Sequence, residues 1–277
     1  MKKIFSMFII LVLSISVLAG CGQGTSESKL TSSSNNSSKE NSLDRVKKAG
    51  KIIIGIDDTY PPMEFKDKDN KLVGYDIDIA NEIGKKLGTK VEFVPTAWDG
   101  IFMALQSKKF DVIHSSVSIT DERKKTMIFT EPYIYGGNAI FVKADNTTVN
   151  SQDDFKGKII GCQVGTTAQD ALSKISGMKE VKKYNGMTEA FLDLKNGRID
   201  AVVSDPQVGD YYIASQKDKF KKIKSLLSQE PIGVAFRKDD TDLRDGYQKA
   251  MDELKKDGTL SKLSEKWFGY DIYKENQ

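Results

Sequence analysis

Residues 76–116 read DIDIANEIGKKLGTKVEFVPTAWDGIFMALQSKKFDVIHSS, and in this stretch two helical patterns each give way to a short run of β-strand character. Ile77, Ile79, Ala80, Ile83 and Leu87 include the i, i+3, i+4 spacing of an apolar stripe, which predicts a helix over Asp76 to Leu87. Lys90 to Val94 reads as a strand, Trp98 to Gln106 as a second helix, and Asp111 to Ser116 as the next strand. With Lys51 to Ile56 ahead of them, the alternation predicts a mostly parallel sheet flanked by helices.

A second series repeats the pattern: Lys158 to Cys162, a helix over Thr167 to Ile175, Glu180 to Tyr184, a helix over Met187 to Lys195, Ile199 to Ser204, and a helix over Pro206 to Ser215. Two α/β lobes are expected. The extended apolar segments Asn138 to Lys143 and Ile232 to Arg237 would carry the chain across and back, so the first lobe is discontinuous. Helices near Asp242 to Lys256 and Leu260 to Trp267 would pack back on it. Two lobes on two strands make a hinge, with a cleft near the carboxyl ends of the strands.

The N-terminus is of a different kind. Lys2 and Lys3 precede an apolar run from Ile4 to Leu18, then small residues and Cys21, which is signal-peptide anatomy. The run of about 15 residues is shorter than the roughly 20 a membrane span needs. Leu18-Ala19-Gly20-Cys21 resembles the lipobox of bacterial lipoproteins, which implies a lipidated Cys21 at the start of the mature chain. The competing use is a disulfide to Cys162, the other of two cysteines. The anchor is preferred, because Cys162 lies in an apolar run where cysteine behaves as a small hydrophobe. Residues 22–42 have Leu30 as their one large apolar residue and cannot bury a core; as a flexible coil they would span roughly 25 Å. The expected organisation is a signal peptide over 1–20, a lipidated cysteine and tether over 21–43, lobe one over 44–138 and 236–277, and lobe two with the hinge strands over 139–235.

Composition bounds the function. The 277 residues are 39% hydrophobic and 29% charged, with 42 Lys and Arg against 39 Asp and Glu. The net charge of +3 is spread along the chain, so nucleic-acid binding has no electrostatic footprint. Lys85-Lys86 and Lys221-Lys222 read as solvated faces. His114 is the single histidine; no histidine cluster can hold a metal, and a packed strand residue is its simplest reading. Neither the serines nor Cys162 stand in a recognisable nucleophile motif, and no cofactor or metal is expected.

The strongest local constellation runs from Ser115 to Arg123, leaving an apolar strand and entering a short helix. Thr120 is a good N-cap, with Asp121 and Glu122 in the first turn. Arg123 could take a carboxylate bidentately, with hydroxyls and backbone from Ser116 and Ser118, or form a structural salt bridge. Gly165-Thr166-Thr167 opens a helix whose N–H groups suit a carboxylate. Asp205, past the strand Ala201 to Val203, could accept an ammonium or simply cap the helix that begins at Pro206. Together these groups match the α-carboxylate and α-ammonium of an amino acid.

Gly74-Tyr75-Asp76-Ile77-Asp78-Ile79 with Ile83 resembles the signature of the polar amino-acid-binding proteins, solute-binding protein family 3. Trp98-Asp99-Gly100, Ser118 to Arg123, Gly165-Thr166-Thr167, Gly197 to Ala201, and Asp257-Gly258-Thr259 followed by Lys266 to Gly269 match in order, and the resemblance covers Asp44 to the tail. It implies the type II periplasmic-binding-protein fold. It further implies that Arg123 clamps the α-carboxylate with backbone near Ser118 and Thr167, that Asp205 takes the α-ammonium with help from Ser116, and that Asp57, Tyr60, Phe65 and Trp98 line the side-chain pocket. Gln163 and His114 are added to that pocket. Tyr60, Phe65 and Trp98 could equally be core.

The expected function is capture of a polar amino acid for an ABC importer, with a permease and an ATPase as partners, on a lipid anchor at the outer face of the cell membrane, as at a Gram-positive surface. Asp57 and Asp58 suit a basic side chain, whereas Trp98-Asp99-Gly100 and the tail resemble family members that bind cystine. A monomer is the family expectation. The rivals are a sensor or adhesion lipoprotein of the same fold, and a dehydratase-like enzyme that would need His114 or Asp57 as its acid or base.

Overall fold

The computed structural model describes residues 41–274; the expected signal peptide, Cys21 and all but the end of the tether lie outside the described residues. The chain enters through α1 (Ser42–Ala49), β1 (Lys51–Ile56), a small antiparallel sheet of β2 (Thr59–Tyr60), β3 (Glu64–Lys66) and β4 (Leu72–Val73), then α2 (Tyr75–Leu87), β5 (Lys90–Pro95), α3 (Trp98–Gln106), β6 (Val112–Ser118), α4 (Asp121–Lys124), β7 (Met127–Phe129) and β8 (Ile134–Lys143). The second half holds β9 (Ile159–Gln163), α5 (Thr167–Ser173), β10 (Glu180–Tyr184), α6 (Met187–Lys195), β11 (Ala201–Ser204), α7 (Pro206–Ser215) and β12 (Phe220–Arg237), and α8 (Thr241–Lys256) and α9 (Thr259–Phe268) close the chain.

The main sheet runs β10-β9-β11-β8-β12-β6-β1-β5, with β7 on β12. Its two outer thirds are the parallel halves the alternation predicts: β1 pairs β5 and β6, and β9 pairs β10 and β11, all in parallel. Between them β8 and β12 pair with each other antiparallel and tie the halves together. Each half is covered on both faces. Ile52, Ile54, Ile79 and Ile83 pack with Tyr247 and Leu254 of α8 on one side of the first half, which returns the tail to lobe one, and Ile101, Leu105, Phe110 and Ile113 fill the other. The second half buries Phe141, Phe191 and Val202 on one face and Ile140, Ile160, Cys162 and Val203 on the other. Cys162 is a free, buried thiol.

Two boundaries differ from the sequence expectation. The tether expected through residue 43 gives way earlier, because Asn41 caps α1 by accepting from the N–H groups of Leu43 at 2.9 Å and Asp44 at 3.2 Å. Ser42 Oγ then accepts from Leu243 N at 3.2 Å, and a Cβ on Gly246 would meet Leu43 at 2.8 Å, so α1 sits tightly on α8. The return crossing also comes earlier than 232–237: Ile232, Gly233, Ala235 and Phe236 already pair with β6 of the first half, while Phe220 to Ile232 run along β8.

The close approach of the two crossing strands fixes Gly137. Its φ of +131° is one that L side chains rarely adopt, and a Cβ there would lie 2.3 Å from the carbonyl oxygen of Ser228. Gly137→Ala should therefore cost roughly 2 to 4 kcal/mol of stability through strain and overlap. Urea unfolding of the two proteins checks this; a loss within error of zero would show that the strands need no glycine.

Candidate functional site

Both halves contribute to one narrow cleft with about 30 Å³ of free volume in this closed arrangement. From the first half come Asp57 and Tyr60 beside β1 and β2, Glu64 of β3, Trp98 of α3, Ser115, Ser116 and Ser118 of β6, and Arg123 of α4. Gln163 ends β9, Thr166, Thr167 and Ala168 open α5, Met187 opens α6, and Asp205 follows β11. The parallel strands thus bring their carboxyl ends to the cleft from opposite sides.

Arg123 is placed by α4, whose Thr120 cap accepts from Arg123 N at 3.2 Å. Its guanidinium donates to Ser118 O at 3.0 Å and lies over the rings of Phe102 at 4.8 Å and Trp98 at 5.6 Å. Among the described residues it forms no ion pair, so the structural salt bridge that competed with a ligand role is absent from them. Burial lowers its pKa, while Glu230 and Asp170 act in the opposite sense. Stacked on aromatics and hydrogen-bonded once, the fork keeps donors for an anion.

Across the cleft, Thr166 caps α5 by accepting from Gln169 N at 3.4 Å. This leaves the first N–H groups of the helix toward the cavity that Thr167 and Ala168 line. Thr167 Oγ1 donates to Glu230 Oε2 at 2.8 Å. Glu230, from the crossing strand β12, also accepts from Asn138 at 2.9 Å and Ser228 at 2.7 Å.

Asp205 does not use its side chain as a cap. It stands at the N-cap of α7, yet its side chain makes no capping bond. One oxygen accepts from Gly137 N at 2.6 Å and the other from the Tyr60 hydroxyl at 2.7 Å. Gly136 makes room for it, since a Cβ there would lie 2.4 Å from Asp205 Oδ1. Burial raises its pKa to about 6 despite these donors.

Tyr60 therefore reaches the second half, and it is not alone. Trp98 Nε1 donates to Gly165 O at 3.0 Å, and Gln163 Nε2 to Asp57 Oδ2 at 2.5 Å. Three hydrogen bonds thus hold the lobes shut over the cavity. Asp57 also accepts from Thr59 N and Oγ1 at 3.0 and 2.7 Å, and its pKa is raised, mainly by burial.

The family model for "Bacterial extracellular solute-binding proteins, family 3" matches residues 52–270. The chain belongs to this family. Among curated relatives, the L-cystine-binding protein TcyJ of Escherichia coli K12 is 37% identical over 236 residues, covering 85% of this chain and 89% of that protein. The L-cystine-binding protein TcyA of Bacillus subtilis 168 is 36% identical over 281 residues, 99% of each. Among solved structures, an ancestral arginine-binding protein bound to arginine superposes with a TM-score of 0.76 at 45% identity, covering 79% of this chain and 98% of that one. The two-lobed architecture is that of this family.

Of the residues singled out in the sequence, nine line the cleft and two do not. Phe65 instead packs its ring on Tyr211 at 5.6 Å and Trp267 at 6.0 Å, because in the three-residue β3 the neighbouring Glu64 takes the inward face. His114 is fully buried behind the cleft, with Nδ1 2.7 Å from the Tyr247 hydroxyl and its pKa lowered by burial. Ser116 does line the cleft, but its N–H and hydroxyl are both directed to Asp76 Oδ2, at 2.8 and 3.2 Å, and its φ is +47°. Its role toward an ammonium is thus confined to its oxygen lone pairs. Sequence reasoning missed Glu64, and named Ser115, Asn138, Thr166 and Met187 only within longer segments. Ser115 donates to Glu64 at 2.7 Å, and burial together with the Asp76 carboxylate pushes the Glu64 pKa well above the usual range. Glu64 Oε2 is buried with no hydrogen-bond partner among the described residues.

The raised pKa of Asp205 has a definite sign. A carboxyl that holds its proton more tightly when folded contributes stability below its unfolded pKa and loses it as pH rises through the folded one. Without ligand, the stability of wild type relative to Asp205→Asn should fall as pH rises from about 4 to about 6. Denaturant titrations across that window check it; a pH-independent difference would show that Asp205 is not perturbed.

Proposed function

We propose that this chain captures a polar amino acid outside the cytoplasm, cystine or a basic amino acid, by closing its lobes around it, and hands it to the permease and ATPase of an ABC importer. The observation that carries the reading is the placement of Arg123 and Asp205 in one cleft on opposite lobes, at a spacing bridged by neither partner itself. The guanidinium and the α5 N-terminus offer donors for an α-carboxylate, and Asp205 with Tyr60 offers acceptors for an α-ammonium. Asp57 and Glu64 then face the side chain, where their oxygens offer acceptors to a cationic or ammonium-bearing group. A ligand that touches both lobes binds the closed state better than the open one, which is what drives closure.

The lipid anchor at Cys21, the tether and attachment to the outer face of the cell membrane complete the proposal, supported by the lipobox and the signal-peptide anatomy. We take the protein to act as a monomer and as a binder rather than an enzyme. His114, one of two residues a dehydratase would need as its acid or base, lies outside the cleft on Tyr247, and the other, Asp57, is engaged by Thr59 and Gln163. A sensor or adhesion role would use the same cleft; finding a permease and an ATPase encoded beside this chain would favour transport, and finding none would favour that role.

A thermal-shift screen with cystine, arginine, lysine, histidine and the other common amino acids tests the reading. At a hundred times its dissociation constant a ligand adds about 2.7 kcal/mol of stability. Arg123→Ala and Asp205→Ala should each weaken the hit by about 100-fold or more, the cost of stranding a buried charged partner. Absence of any hit, or variants that bind as wild type, would remove the zwitterion clamp.

A further inference from the structure

The candidate site does not end at Asp57. That residue also lines a second cleft, of about 430 Å³ and open to solvent, together with Asp58, Thr59, Lys66, Asn185 and Glu189. Where the two spaces meet at Asp57, the wall between them is hydrogen-bonded. Gln163 Nε2 donates both to Asp57 Oδ2 at 2.5 Å and to Asn185 O at 2.8 Å, and Thr59 holds the other Asp57 oxygen. Asp57 belongs to the first lobe and Gln163 to the second, so the wall is itself a closure contact. A hydrogen-bonded wall can part at small net cost when a ligand supplies replacement donors and acceptors, whereas a packed apolar one cannot.

The outer cleft holds both signs of charge. The Lys66 ammonium lies 2.8 Å from Asp58, with Lys66 half-exposed, and Glu189 faces from the opposite lobe, accepting from Gly186 N at 3.3 Å. A carboxylate can exchange with Asp58 for Lys66, and an ammonium can take Asp57, Asp58 or Glu189. This is the chemistry of a second zwitterion, displaced from the one at Arg123 and Asp205.

We propose that the outer cleft is a second subsite, taking the distal ammonium and carboxylate of a long dipolar amino acid of the cystine type, and that the Asp57–Gln163 pair is the partition that opens for it. The proposal rests on the amino-acid-binding reading of the inner cleft and selects between its two ligand classes. A short amino acid leaves the partition shut; a long one replaces the Gln163 bond with its own.

Calorimetry on the full chain with L-cystine and S-methyl-L-cysteine, which keeps one half of cystine and lacks the distal end, tests this. Cystine should bind at least about tenfold more tightly, and Lys66→Gln and Glu189→Gln should each weaken cystine by about three- to tenfold. The same two variants should bind S-methyl-L-cysteine as wild type does, which also reports an intact fold. Gln163→Ala should raise the cystine to S-methyl-L-cysteine affinity ratio several-fold. Equal affinities in wild type, outer-cleft variants that leave cystine unchanged or weaken both ligands alike, or a ratio indifferent to Gln163 would overturn the subsite. Asp205→Asn separates the two levels of argument: if it weakened neither ligand, the inner cleft and not the outer would be misassigned.

Discussion

A carboxylate removed from water in a cleft needs donors or a counter-charge, and the arrangement of this protein follows from how Asp205 obtains them. Its two oxygens take one bond from Gly137 on a crossing strand and one from Tyr60 on the opposite lobe. Neither donor carries a charge, and burial therefore still raises the carboxyl pKa. An ammonium placed beside it would supply the missing charge and favour ionised Asp205. On the proposed reading, closure and ligand capture draw on the same carboxylate.

The opposite end of the cleft carries the complementary deficit. Arg123 is stacked over Phe102 and Trp98 and bonded to Ser118 O, arrangements that orient a guanidinium without neutralising it. On the proposed reading one zwitterion would answer both deficits, and because they lie on different lobes it would do so fully only when the lobes are together. Glu230 adds a link to the hinge: it joins β12 to Thr167 at the start of α5 and to Asn138 on β8, so the carboxylate end of the cleft and both crossing strands share one hydrogen-bonded group.

Much of this was legible in the sequence because it depends on periodicity. The stripe of Ile77, Ile79, Ala80 and Ile83 and the buried runs of β1, β6, β9 and β11 fix helices, strands and the doubled α/β pattern. The position of Arg123 in a short capped helix, and of Asp205 past a strand end, followed from that pattern. The use of Asp205 did not, since Pro206 after it reads equally as a capped helix start, and only the nearness of Gly136 and Gly137 across the sheet turns the side chain away. Phe65 and Glu64 are adjacent in a strand of three residues, too short for alternation to say which faces inward. The helix at Ser42 was hidden by its polar flank, and its reason is tertiary, the fit of Leu43 against Gly246 of α8.

The central claim is that an amino acid shifts the lobes toward the closed arrangement by bridging Arg123 and Asp205. It is tested most directly by resonance energy transfer between fluorophores at the exposed positions Met103 of α3 and Leu192 of α6, on opposite lobes, titrated with a bound amino acid and with the same compound blocked as its α-amide. The account predicts that the free amino acid shifts the distance distribution to one saturable closed value while the α-amide leaves it unmoved. A distribution that the amino acid leaves unchanged while binding, or that the amide shifts equally, would contradict it.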